Sequence, residues 1–200
     1  MDDTELSMPS ALVLASSSIY RKRLLERLQI PFETHPPHID ESTWPGETAY
    51  RLAQRLAITK SQALSDLTGD PLIIGSDQVA ACDNRLLSKP GNAENAQEQL
   101  RFCSGKHTVF FTGVAVWRPR MEKLLTTVVT VEVNMRHLSK AEIDAYVTKD
   151  QPFDCAGSFR WESLGITLFN SIECEDPTAL EGLPLIALCR FLRQHGYALP

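Results

Sequence analysis

The chain's 200 residues suffice for one sizeable domain rather than two very small ones. A net charge of −5 excludes general attraction to nucleic acid, so an anionic ligand needs a local basic cluster or a metal ion. No apolar run approaches the roughly 20 residues that cross a bilayer, and five scattered cysteines without a Cys-x-x-Cys pair fit a reducing cytosol rather than a disulfide framework or a zinc site.

Residues 1–9 are acidic, lack the basic and apolar regions of a signal peptide, and read as a short flexible tail before a single domain over 10–197. Leu12-Val13-Leu14-Ala15 reads as a short apolar strand, followed by Ser16-Ser17-Ser18 and a helical stretch from Arg21 to Leu28. A serine there is a good N-cap. Strand, serine loop and helix can bind phosphate through free N–H groups and the positive dipole end; it can equally be a capped surface helix. Arg21 shares a face with Leu24, Leu25 and Leu28, and a guanidinium pointing inward needs an anion.

Pro31 to Trp44 reads as irregular. Its Asp40-Glu41 pair is either plain surface or a source of oxygen ligands for Mg²⁺. From Glu47 to Leu67 a helical period returns, with Leu52, Ala53, Leu56, Ala57, Ala63, Leu64 and Leu67 in one stripe. Lys60 falls within it. The lysine either snorkels to the helix edge or meets an anion inside a cleft.

Leu72-Ile73-Ile74, between Pro71 and Gly75, reads as a short strand buried on both faces that delivers Asp77 to a strand end. Ligands gather at such ends in open α/β sheets, although Ser76 and Asp77 also suit a simple turn. Ser88-Lys89-Pro90-Gly91 places a lysine on a stiffened loop. Asn92 to Cys103 reads as a helix ended by Gly105. Two long strands are predicted over 108–117 and 125–138. A capping box at Ser139 and Glu142 opens a helix to about Lys149. Cys155 to Phe169 reads as a loop and strand over a pocket, and Leu183-Pro184 opens a last helix with Leu188, Phe191 and Leu192 inward. The pattern predicts an α/β fold with a mixed, twisted sheet flanked by helices.

Arg21, Lys60, Lys89, Glu41 and Asp77 would, if they converge, match a polyphosphate with its Mg²⁺. There is no Walker motif, no Gly-x-Gly-x-x-Gly and no Cys/His zinc pattern. The five histidines are dispersed and read as mostly surface residues. Metal-assisted attack of water on phosphorus is the chemistry that fits.

The spaced motifs Leu14-Ala15-Ser16-Ser17-Ser18 with Arg21 and Leu24-Leu25, Asp40-Glu41, Leu56-Ala57 with Lys60, Ile74-Gly75-Ser76-Asp77, Lys89-Pro90, Thr112-Gly113 and Gly182-Leu183-Pro184 closely resemble the Maf family of nucleoside triphosphate pyrophosphatases. The match runs in register from about Ala11 to Arg193. The resemblance implies hydrolysis of a nucleoside triphosphate to the monophosphate and pyrophosphate, with Mg²⁺ or Mn²⁺, in the cytoplasm. It also implies a fold like that of inosine triphosphatases, and a homodimer as a family-level expectation.

Family members acting on dTTP and UTP usually carry arginine, threonine and glutamine where this chain has Tyr20, Gln78 and Glu162. The 7-methyl-GTP branch typically has an aromatic residue, glutamine and glutamate, and Cys155-Ala156-Gly157-Ser158-Phe159 also resembles that branch. Methylation makes the base cationic, so the Tyr20 ring suits stacking on it and Glu162 suits its N–H edge. Without the resemblance, both would read as surface residues. By matching position, Asp77 is the general base or metal-bound carboxylate and Glu41 a metal ligand. The resemblance likewise implies that Ser16, Arg21, Lys60 and Lys89 would grip the triphosphate. The sequence departs from the family at Ile19, where proline is usual, and at Ser88, Ser163 and Cys174, where glycine is usual. The alternatives are a pyrophosphatase for dTTP, UTP or another modified nucleotide, and a non-catalytic nucleotide-binding regulator of cell division. No nucleic-acid or membrane partner is expected.

Overall fold

The computed structural model describes residues 8–200, so residues 1–7 of the expected tail lie outside the described residues. The first apolar run forms β1 (Ala11–Ala15), and α1 (Ile19–Glu26) starts at the Ser18 cap, whose hydroxyl accepts from Arg21 N–H. A short strand, β2 (Glu33–His35), lies parallel to β1 inside the stretch read as irregular. Helix α2 (Ala49–Gln62) ends earlier than its sequence pattern suggests, leaving Ala63 exposed, while Leu52, Ala53, Leu56, Ala57 and Lys60 are buried.

The central strand is longer than predicted: β3 runs over Pro71–Cys82, so Gly75 does not end it and Asp77 sits mid-strand. The glycine is there for space. A Cβ on Gly75 would lie 2.1 Å from the Ala57 carbonyl oxygen, and one on Gly113 would lie 2.3 Å from that of Ala53. The backbone of α2 therefore rests directly on the sheet at these two positions.

After β3 come β4 (Arg85–Leu87), α3 (Ala93–Cys103), β5 (His107–Arg118), β6 (Lys123–Met135) and α4 (Lys140–Asp150). The predicted capping box at Ser139 and Glu142 is present. Residues 155–168, read as partly a strand, are 3₁₀ turns and loop, and the strand β7 (Phe169–Cys174) begins only beyond them. Helix α5 (Leu185–Arg193) buries Leu188, Phe191 and Leu192 as expected.

The seven strands form one mixed sheet in the order β2-β1-β3-β5-β6-β7, with β4 also on β3. Strands β2, β1 and β3 are parallel, and β5, β6 and β7 continue antiparallel. Helices flank the sheet. Helix α2 covers one face, against Val79, while α1 and α5 share a core with Leu12, Leu14, Leu72, Ile74 and Val114 on the other. Among the described residues no helix is long and apolar enough to cross a membrane. One histidine contradicts the surface reading: His195 is fully buried.

The sheet's registers create an opening. On one edge of β3, pairing with β1 stops at Gly75 and pairing with β4 covers only Ala80 to Cys82. Among the described residues, no strand lies beside Ser76 to Val79 on that edge. The carboxyl end of the parallel part of the sheet thus falls beside Asp77.

Candidate active site

Strand alternation sends Asp77 to the α2 face and Ser76 and Gln78 to the opposite face. On the first face, Lys60 Nζ donates to Asp77 Oδ1 at 2.6 Å and lies 2.7 Å from Glu41 Oε1. A buried ammonium needs such partners. Burial works against ionisation of Glu41, but Lys60, then Arg21 and Lys89, outweigh it and hold the carboxyl below its usual range.

On the opposite face the central strand is tied to the turn over Pro177–Glu181 and to Gly182. Gln78 Nε2 donates to the Ala179 and Leu180 carbonyls at 2.8 and 3.1 Å. Thr112 Oγ1 donates to Ala179 O at 2.8 Å. The Gly182 carbonyl accepts from Ser76 Oγ and from Arg21 Nε, each at 2.8 Å. Burial pulls the Arg21 guanidinium below its ordinary pKa, opposed by Asp77 and Glu41. Behind it, Ser16 Oγ accepts from Ser18 N–H at 3.1 Å and helps shape the serine loop.

Around the opening lies a cleft of about 670 Å³, a size typical of small-molecule sites. Ser16, Tyr20, Arg21, Glu41, Lys60, Asp77, Gln78, Lys89 and Glu162 all line it. All the sequence candidates are thus brought together, Lys89 and Glu162 from exposed positions. Tyr20 donates from its hydroxyl to Asp154 Oδ2 at 3.0 Å. Burial, then the nearby Cys155 and Asp154, push the Tyr20 pKa up to about 12. The phenol therefore stays a neutral donor, which fixes its ring.

Three charged cleft residues escaped the sequence reading: Asp154, Arg160 and Glu181. Asp154 immediately precedes Cys155-Ala156-Gly157-Ser158-Phe159, and Glu181 immediately precedes Gly182-Leu183-Pro184. That adjacency was the available signal. Ser76, open to a turn reading, is a fully buried strand residue.

Among the described residues no three His, Cys, Asp or Glu side chains gather as a protein-only metal cage. The donor chemistry nevertheless suits a hard cation. Glu41 and Asp77 converge on a single ammonium, so both reach one cation at once. Two carboxylates are the usual protein share for Mg²⁺, with phosphate and water oxygens supplying the remainder.

Residues 11–195 match the family described as Maf-like protein. The chain is 47% identical over 189 residues to 7-methyl-GTP pyrophosphatase of Pseudomonas aeruginosa, covering 94% of this chain and 98% of that protein. A solved HAM1 protein from Coxiella burnetii is 17% identical with a TM-score of 0.43, covering 62% of this chain and 72% of that one.

Proposed function

The chain belongs to the Maf family, and on that footing we propose that it hydrolyses 7-methyl-GTP to 7-methyl-GMP and pyrophosphate. The reaction removes a modified nucleotide from the cytoplasmic pool, with residues 10–197 acting as one catalytic domain. The observation that carries the reading is the meeting of Glu41, Lys60 and Asp77 in a cleft that Arg21, Lys89, Tyr20 and Glu162 also line.

Asp77 takes a proton from the water that attacks the α-phosphorus. The new P–O bond forms as the bond to the bridging oxygen breaks, and pyrophosphate leaves with that oxygen. Lys60 holds the Asp77 carboxylate in place and carries positive charge to the reacting phosphate. Arg21, anchored through Nε, and Lys89 neutralise the departing pyrophosphate, and Ser16 helps seat the chain of phosphates. Glu41 and Asp77 would hold Mg²⁺ or Mn²⁺, which would supply further neutralisation of the triphosphate. At the base, the Tyr20 ring stacks on the cationic purine and Glu162 accepts from its N–H edge. Gln78 fixes the turn that walls this part of the cleft.

The test is a panel of canonical and modified triphosphates with Mg²⁺ or Mn²⁺ and product identification. Pyrophosphate and 7-methyl-GMP, formed faster than any other pair, are expected. Inorganic phosphate from every triphosphate, or no product, overturns the reading. The family also leads us to expect a homodimer, and a monomer mass by light scattering would reject it.

A further inference from the structure

The Pro177–Glu181 turn places a further carboxylate in the cleft, beside Glu162, and sequence motifs gave it no role. Glu181 lines the cleft together with Glu162, and its side chain is only 11% exposed. Its backbone cannot drift. The carbonyls of the residues around it, Ala179, Leu180 and Gly182, accept from Gln78, Ser76 and Arg21. The carboxylate is held by Arg27 Nη2, at 3.0 and 3.3 Å to its two oxygens. Arg27 itself is 53% exposed, so water screens much of its charge.

The charge balance there is unfavourable in the free protein. Burial raises the Glu181 pKa and Arg27 lowers it, while Glu162 raises it further and the net shift is upward. Arg160 also lines the cleft, but its Nε faces Asp150 at 3.5 Å, so Glu162 and Glu181 with the screened Arg27 leave excess negative potential on this part of the wall. A neutral guanine would do nothing to relieve it. A base with a fixed positive charge would.

We propose that Glu181 is a second base-selecting carboxylate that works with Glu162 to favour a cationic purine over its neutral counterpart. The role rests on the function proposed above. Arg27 then acts as a retainer, holding Glu181 in position while weakening its field. A purely structural reading makes the pair only a strut between α1 and the turn, and the two readings predict different signs.

The experiment measures kcat/KM for 7-methyl-GTP and GTP on wild type, Glu181→Gln, Glu162→Gln and Arg27→Gln. Glu181→Gln is expected to lower the 7-methyl-GTP to GTP ratio about two- to fivefold, the size of one partly exposed charge contact. Glu162→Gln lowers the same ratio. Arg27→Gln removes the cation that weakens Glu181 and should raise the ratio. Added salt should shrink the wild-type preference toward that of Glu181→Gln. An unchanged ratio in Glu181→Gln, or a parallel fall in Glu181→Gln and Arg27→Gln, overturns the role while leaving the proposed reaction intact. A wild type that treats 7-methyl-GTP and GTP alike overturns the base assignment and the role with it.

Discussion

Asp77 and Lys60 form one buried pair on which the local structure and, under the proposed mechanism, the reactivity both depend. Each would be intolerable alone in this position. An Asp77→Asn exchange keeps the side chain's shape but removes the proton acceptor. It should cut kcat by about 10²–10⁴-fold while nucleotide binding, followed by calorimetry, persists. Retention of near-normal kcat would rule Asp77 out as the base. The variant also separates hydrolysis from any regulatory role on cell division. Replacing Lys60 by methionine should instead leave buried Asp77 without its hydrogen-bonded counter-charge, with only the more distant Arg21 to offset it, and lower stability by about 3 kcal/mol in urea melts. Lys60 and Arg21 were readable from the chain because each interrupts an apolar stripe, and burial physics forbids an unpaired cation there. Tyr20 and Glu162 carry no such signature. One is an ordinary helix-entry aromatic and the other an exposed loop carboxylate, so only likeness to known proteins singled them out.

At the scale of elements, the seat of α2 on β3 and β5 sets the site. Gly75 and Gly113 let the helix backbone touch the sheet, and that contact brings Lys60 within reach of Asp77. Gly75→Ala would place a methyl group 2.1 Å from the Ala57 oxygen. Lifting the helix should cost about 1–3 kcal/mol or more, read as a lower melting temperature, and kcat should fall with it. A stable, fully active Gly75→Ala protein would show that the helix can move without disturbing the pair. This same contact explains why β3 looked short in the sequence. A glycine after three large apolar residues reads as a terminator when the helix backbone above it is unseen. The capped helices α3 and α4 were legible because their caps are local. Strands β2, β4 and β7 were not: the first two are three residues long, and most residues of all three are exposed, so no apolar alternation marks them.

The whole molecule should be acid-labile at a point remote from the cleft. His195 is fully buried, and neither ring nitrogen has a hydrogen-bond partner among the described residues. Burial, then Lys123 and Arg118, push its pKa down from 6.5 to about 4, with Asp70 opposing. The unfolded chain therefore binds a proton at His195 before the folded chain does. Its stabilising contribution is fully present above pH 6.5 and is lost as the pH falls toward 4. The loss is on the order of 3 kcal/mol. Asp70, held below its usual range by hydrogen bonds from buried Arg118 despite the cost of burial, adds stability that disappears at still lower pH. Melting temperatures should drop between pH 6.5 and 4, and His195→Leu should flatten that slope. An equally steep slope in His195→Leu would place the acid lability elsewhere.

The ties between the central strand and Gly182 also set an order of events during synthesis. Ser76 and Arg21 find their shared acceptor 106 and 161 positions downstream. At roughly 5–20 residues per second, Arg21 waits on the order of ten to thirty seconds on the ribosome before that carbonyl exists. Until then the nascent chain lacks the Pro177–Gly182 side of the cleft. The cleft's final geometry, with Arg21 and Ser76 on their shared acceptor, is therefore set only after the last segment has been made.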